Sequence, residues 1–172
     1  MNEKKIIAII PARGGSKGIP RKNIKSFGGK PLIYYPVNLA KSIDYIDRII
    51  VSTEDEEIAK IAKDSGAEIP FLRPEELARD ETPTLPVLQH CVNYLEKKEN
   101  YKPDIIVLLY ATNPLLSKDT LSNAINIMIA KNYNSLVSVY EDRGHLWKKS
   151  GKKYTRLYPK KLVNRQYIQP LL

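Results

Sequence analysis

The chain has 172 residues, 42% of them hydrophobic, and one cysteine, so a single domain with a sizeable core is expected and a disulfide framework or zinc knuckle is excluded. No apolar run approaches the ~20 residues of a bilayer-spanning helix, and the expectation is a soluble protein of the reducing cytoplasm with no membrane contact. The net charge of +9 is not spread over the surface: residues 1–142 carry all 19 acids and 19 of the 28 Lys and Arg, leaving nine unopposed bases between Arg143 and Leu172.

In chain order, Ile6 to Ile10 is a continuous apolar run, too short for a signal-peptide core and suited to a strand covered on both faces. After a loop rich in Gly and Lys, the pattern from Pro31 to about Ser42 predicts a helix with Pro31 in its first turn. Arg48 to Ser52 reads as a strand. STEDEEIAKIAKDSG reads as a helix capped by Ser52 or Thr53, with acids in the first turn, Ile58, Ala59, Ile61 and Ala62 facing the core, and Gly66 as the stop.

The same logic predicts strands at Ile69–Leu72, Ile105–Tyr110 and Ser135–Tyr140, and helices at Pro86–Lys98 and Lys118–Lys131. Strands alternating with helices imply an α/β fold: a mainly parallel sheet covered by helices, with ligands bound beyond the carboxyl ends of the strands. The expected division is an α/β core over residues 1–140 and a basic excursion over 141–172, whose Gly and Ser-Gly punctuation suggests a hairpin.

The loop Pro11–Asn23, PARGGSKGIPRKN, is the most informative stretch. Six basic residues and no acid fall between Pro11 and Lys30, while Gly14, Gly15 and Gly18 let backbone N–H groups approach a ligand. Amides and cations together are what a triphosphate needs. The motif G-x-x-x-x-G-K-[ST] is absent and G-x-G-x-x-G fails because Ser16 occupies its second position, so a P-loop kinase or NAD enzyme is disfavoured.

This loop resembles the A-R-x-x-S-K-G-x-P-x-K-N signature of the acylneuraminate cytidylyltransferases, which activate nine-carbon acidic sugars with CTP, and FGGKPLI at Phe27–Ile33 is similar to the same family. RPEELARD at Arg73–Asp80 resembles its R-P-x-x-L-A-x-D segment. LYATNP at Leu109–Pro114 falls where the family has L-Q-P-T-[SN]-P, with Tyr110 and Ala111 in place of Gln and Pro, as in the branch that activates pseudaminic acid. The resemblance extends from Ile6 to Gln169.

The resemblance implies a Rossmann-like nucleotidyltransferase domain with a C-terminal hairpin-like dimerisation segment. It implies nucleotide roles for Arg13, Gly14, Gly15, Ser16, Lys17, Lys22 and Asn23, with Arg13 and Lys22 catalytic and Lys22 the group nearest the reacting phosphates. Arg73 and Thr84 would contact the cytidine part. Tyr110, Thr112 and Asn113, with Lys148, Arg165 and Gln166 from a neighbouring subunit, would meet the sugar.

CTP and an acidic nine-carbon sugar are the expected substrates, a homodimer the expected assembly, and Mg²⁺ the expected cofactor. The family's metal-binding aspartates would fall after Leu172, so no metal ligand is assigned and the chain as given is expected to bind nucleotide with poor turnover. His90 reads as structural and His145 as a weak candidate base. The alternatives are another sugar nucleotidyltransferase, a glycosyltransferase (disfavoured by the lack of an Asp-x-Asp motif), or a basic nucleic-acid-binding module suggested by Tyr154, Tyr158 and Tyr167 among lysines.

Overall fold

The computed structural model describes residues 4–139 and 146–158. The chain divides into two compact units, one up to Asn126 and the other from Ile127 onward.

The first unit is built on a three-stranded parallel sheet in the order β4-β1-β5. β1 (Ile6–Pro11) is the central strand, and its five apolar residues from Ile6 to Ile10 are at most 2% exposed. An unbroken apolar run is what a strand flanked on both edges and covered on both faces requires. β4 (Arg48–Ser52) and β5 (Ile105–Leu108) pair with it in register, Ile9 lying opposite Ile50 on one side and Leu108 on the other. Ile7, Ile9 and Ile50 pack with Cys91 and Leu95 of the following helix layer into one cluster, joined by Phe71, Leu88, Val92 and Tyr101.

Between β1 and β4 the sequence expectation is corrected. Pro31 does not open the helix; Lys30–Pro31 (β3) pairs antiparallel with Ser26–Phe27 (β2) around Gly28 and Gly29, whose φ angles of 55° and 82° close a two-residue hairpin. The helix α1 therefore starts later and spans Tyr34–Lys41. α2 (Glu56–Asp64) is capped by Asp55, whose carboxylate accepts the Ile58 N–H at 2.9 Å. Ser52 and Thr53, the expected caps, are instead fully buried, and Thr53 Oγ1 accepts the Asp55 N–H at 3.1 Å. Ile58, Ala59 and Ala62 form the buried face of α2, Ile61 at its border is only half-buried, and Gly66 follows at φ 100°.

The expected strand Ile69–Leu72 is not formed; the only pairing nearby among the described residues is a parallel bridge between the preceding Glu68 and Ile50, and Pro70 has no N–H to continue the ladder from it. α3 (Thr84–Glu99) begins two residues before Pro86, with Pro83 as its cap residue, since neither proline removes a bond from the first turn. β5 stops at Leu108 rather than Tyr110, and Tyr110 starts a turn closed by the Asn113 N–H on its carbonyl. α4 spans Lys118–Lys131 as predicted, with the Ser117 hydroxyl accepting the Thr120 N–H at 3.1 Å.

In the second unit, the described part of the expected strand Ser135–Tyr140 is not a strand: Val137 is 79% and Val139 64% exposed, and no ladder partner exists for them among the described residues. The hairpin is present, as β6 (Leu146–Ser150) and β7 (Lys153–Tyr158) around Gly151 at φ 60°. Its rings are occupied by its own cations, Arg156 over Trp147 at 4.6 Å and Lys149 over Tyr154 at 5.8 Å. Among the described residues no helix is long and apolar enough to cross a membrane.

Candidate active site

Because β1, β4 and β5 run parallel, their carboxyl ends lie on one edge of the sheet, and the loops that follow them meet there. A cleft of about 280 Å³ opens at this edge. Arg13, Ser16, Lys22 and Asn23 enter it from the loop after β1, Arg73, Arg79, Asp80 and Thr82 from the segment before α3, Thr84 and Val87 from the first turns of α3, and Tyr110 to Thr112 from the turn after β5.

The loop after β1 is shaped by three tethers. Asn23, 7% exposed, donates from Nδ2 to the Arg13 carbonyl at 2.9 Å, which joins the two ends of the loop. The Gly14 N–H is donated to Glu54 Oε1 at 2.7 Å, and a Cβ at Gly14 would stand 2.5 Å from Asp55 Oδ2, so glycine is required by close approach. Arg21 adopts the left-handed conformation at φ 54° and is held there by Asp55 and Glu57. The Arg21 guanidinium, by hydrogen bond first, holds the Asp55 carboxyl below the usual carboxylate range.

The basic loop thus meets acids that arrive from elsewhere in the chain. Asp80 pairs with Arg13 at 2.6 Å and with Lys17, and the Lys17 contact chiefly pulls its carboxyl below the ordinary range. Arg73, 5% exposed, pairs with Glu54 at 2.8 Å, while its Nε is buried without a hydrogen-bond partner. Among the described residues no ion pair or hydrogen bond engages the Lys22 ammonium. Opposite, the Tyr110 and Thr84 hydroxyls are 3.0 Å apart.

Of the residues singled out from the sequence, Arg13, Ser16, Lys22, Asn23, Arg73, Thr84, Tyr110 and Thr112 line this one cleft. Gly14, Gly15, Lys17 and Asn113 are not among the lining residues; Lys17 is joined to the cleft through its ion pair with Asp80. Lys148 lies exposed on β6 in the second unit. Arg165, Gln166 and His145 lie outside the described residues. His90 packs edge-on against Phe71 at 4.6 Å and burial lowers its pKa, while burial pushes the Cys91 thiol up to about 11, and neither residue lines the cleft.

Sequence reasoning passed over Asp80, Glu54 and Asp55. Asp80 ended a recognised segment without a role, and Glu54 and Asp55 were read only as acids at a helix start. The place of Glu54 and Asp55 just after β4, on the same sheet edge as the loop, is the signal that could reveal those two.

The family model described as Cytidylyltransferase matches residues 7–166. The chain belongs to the cytidylyltransferase family. It is 42% identical over 137 residues to a pseudaminic acid cytidylyltransferase of Campylobacter jejuni subsp. jejuni, covering 80% of this chain and 59% of that protein. It is 37% identical over 125 residues to a CMP-N,N'-diacetyllegionaminic acid synthase of Legionella pneumophila subsp. pneumophila, covering 72% and 53%.

Among solved structures, CMP:2-keto-3-deoxy-manno-octonic acid synthetase complexed with CTP superimposes with a TM-score of 0.61 at 21% identity over 75% of this chain and 49% of that one. That likeness is one of fold, and it agrees with the parallel sheet described above. This cytidylyltransferase chain spans 59% and 53% of the length of the two curated relatives. The match includes the loop after β1, the Arg73 segment and the Tyr110 turn, all of which border the cleft.

Proposed function

We propose that this cytidylyltransferase binds CTP in the cleft at the strand ends and transfers CMP to the anomeric hydroxyl of a nine-carbon acidic sugar of the sialic, legionaminic or pseudaminic type. The anomeric hydroxyl oxygen attacks the α-phosphorus and loses its proton to solvent, the bond from the α-phosphorus to the bridging oxygen breaks, and pyrophosphate leaves with that oxygen. The observation that carries the proposal is the convergence of Arg13, Lys22, Arg73, Thr84 and Tyr110, from separate parts of the sequence, on one cleft of a family member.

In this reading the cations of the loop receive the phosphates and offset charge that develops as pyrophosphate departs. Asn23 fixes the Arg13 backbone, so the arginine is positioned before the ligand arrives. Gly14, Gly15, Ser16 and Lys17 complete the phosphate end, Arg73 and Thr84 the cytidine end, and Tyr110, Thr112 and Asn113 the sugar end.

The proposal includes a homodimer in which Lys148, Arg165 and Gln166 serve a neighbour's acidic sugar. The basic hairpin supports it, and a monomer by light scattering would remove it. Among the described residues no group of three His, Cys, Asp or Glu could hold an ion, so no residue is assigned to a metal.

The test is titration with CTP followed by pyrophosphate release over a panel of nine-carbon acidic sugars. Arg13→Ala and Lys22→Ala each remove a charge-assisted contact worth about 1.5–3 kcal/mol, so CTP affinity should fall about 10- to 100-fold. Titrations like those of the parent chain for both variants would overturn the assignment.

A further inference from the structure

Asp80 has an unusual position: it is the acid among the described residues lining the cleft, and it spends both carboxylate oxygens on loop cations. Oδ1 takes Arg13 at 2.6 Å and Oδ2 takes Lys17. A carboxylate that bridges two cations presents oxygens to them much as a phosphate group would.

We propose that Asp80 is a built-in counter-ion, an internal stand-in that occupies Arg13 and Lys17 in the nucleotide-free cleft and is displaced when a polyphosphate arrives. This rests on the reading of the cleft as a triphosphate site.

Three observations support the exchange. The Asp80 pairs are open to water, with side-chain exposures of 32% for Arg13, 82% for Lys17 and 33% for Asp80, and such pairs are weak enough to be outcompeted by a more highly charged anion. The loop does not depend on Asp80 for its shape, since the Asn23 to Arg13 and Glu54 to Gly14 hydrogen bonds hold its backbone independently. The turn that carries Asp80 is closed by the Thr82 N–H on the Arg79 carbonyl and the Thr82 hydroxyl on the Glu76 carbonyl, so a side-chain rotation of Asp80 can release both cations without moving the turn.

Left in place beside a bound polyphosphate, the Asp80 carboxylate would repel it. Lys22 and Arg79, which line the cleft and whose side chains have no partner among the described residues, are the cations available for first contact. Asp80 would therefore lower affinity while keeping two adjacent cations from repelling each other in the empty cleft.

The experiment is calorimetric titration of the 172-residue chain with sodium tripolyphosphate, and separately with CTP, in buffer with EDTA and fixed salt. Asp80→Asn, and Asp80→Ser as a second variant, should bind tripolyphosphate about two- to tenfold more tightly than the parent chain. Glu81→Gln, which removes the neighbouring exposed acid, should stay within about twofold of the parent.

Unchanged or weaker binding by the Asp80 variants, or equal tightening by Glu81→Gln, would overturn the counter-ion role. If the parent chain binds neither tripolyphosphate nor CTP, the triphosphate reading of the cleft falls with it. If the parent binds and the Asp80 variants do not gain, only the counter-ion role falls.

Discussion

Of the three arginines that border the cleft, two are each paired with one acid at nearly the same distance, Arg13 with Asp80 at 2.6 Å and Arg73 with Glu54 at 2.8 Å. Their surroundings separate them. The Arg73 side chain is 3% exposed and that of Glu54 19%, against 32% and 33% for Arg13 and Asp80. A buried pair cannot be exchanged for water and becomes part of the framework, whereas a half-open pair can be traded for a ligand. Similar contact lengths thus describe one fixed and one replaceable interaction.

The comparison is most directly broken by removing the acid from each pair. Glu54→Gln leaves the buried Arg73 charge without its counter-charge and loosens the hold on the Gly14 amide, so unfolding free energy from urea titration should fall by about 2–3 kcal/mol. Asp80→Asn should leave the urea midpoint almost unmoved. Equal losses from the two variants would erase the distinction between the pairs.

A smaller effect is expected at the hinge between the two regions. Gly14→Ala places a Cβ against Asp55 Oδ2, the carboxylate that also caps α2 and holds Arg21, and should cost about 1–3 kcal/mol through overpacking. The same variant should weaken CTP binding, because the loop must shift. Retained stability with lost CTP binding would show that the loop, and not α2, absorbs the clash.

The smallest effect is in pH dependence and belongs to the Arg73 side. Burial first, then the Arg73 charge, lowers the folded-state pKa of His90 below its unfolded value of about 6.5. With the folded pKa depressed, the folded chain binds fewer protons than the unfolded one between the two values. Stability is therefore complete above about pH 6.5 and declines as pH falls from there toward the folded pKa. His90→Phe should flatten that slope in melts between about pH 5 and 7.5; an unchanged slope would place its origin in the carboxylates.

How much of this was legible in the sequence depended on how local the cause was. The Ile6–Ile10 run announced a central buried strand because no amphipathic alternation remained in it. α4 was read to the residue, since its start and its apolar positions are set within its own turns. The Pro31 expectation failed because the pairing of Lys30–Pro31 with Ser26–Phe27 outweighed the preference of proline for a first helical turn. Ile69–Leu72 failed because one missing N–H at Pro70 ends a ladder that side-chain pattern alone would continue.

The sequence by itself determined the chemistry available: a glycine-bearing loop of cations after an apolar strand, an Arg-Pro segment and a hydroxyl-rich turn, all recognisable from residue type and spacing. Which charge answers which follows from the fold alone. Asp80 lies 67 positions from Arg13 and Glu54 lies 40 from Gly14, yet parallel strands ending on one edge bring them into contact. Electrostatic pairing depends on separation in space and on access to water, and neither is written in the order of residues along the chain.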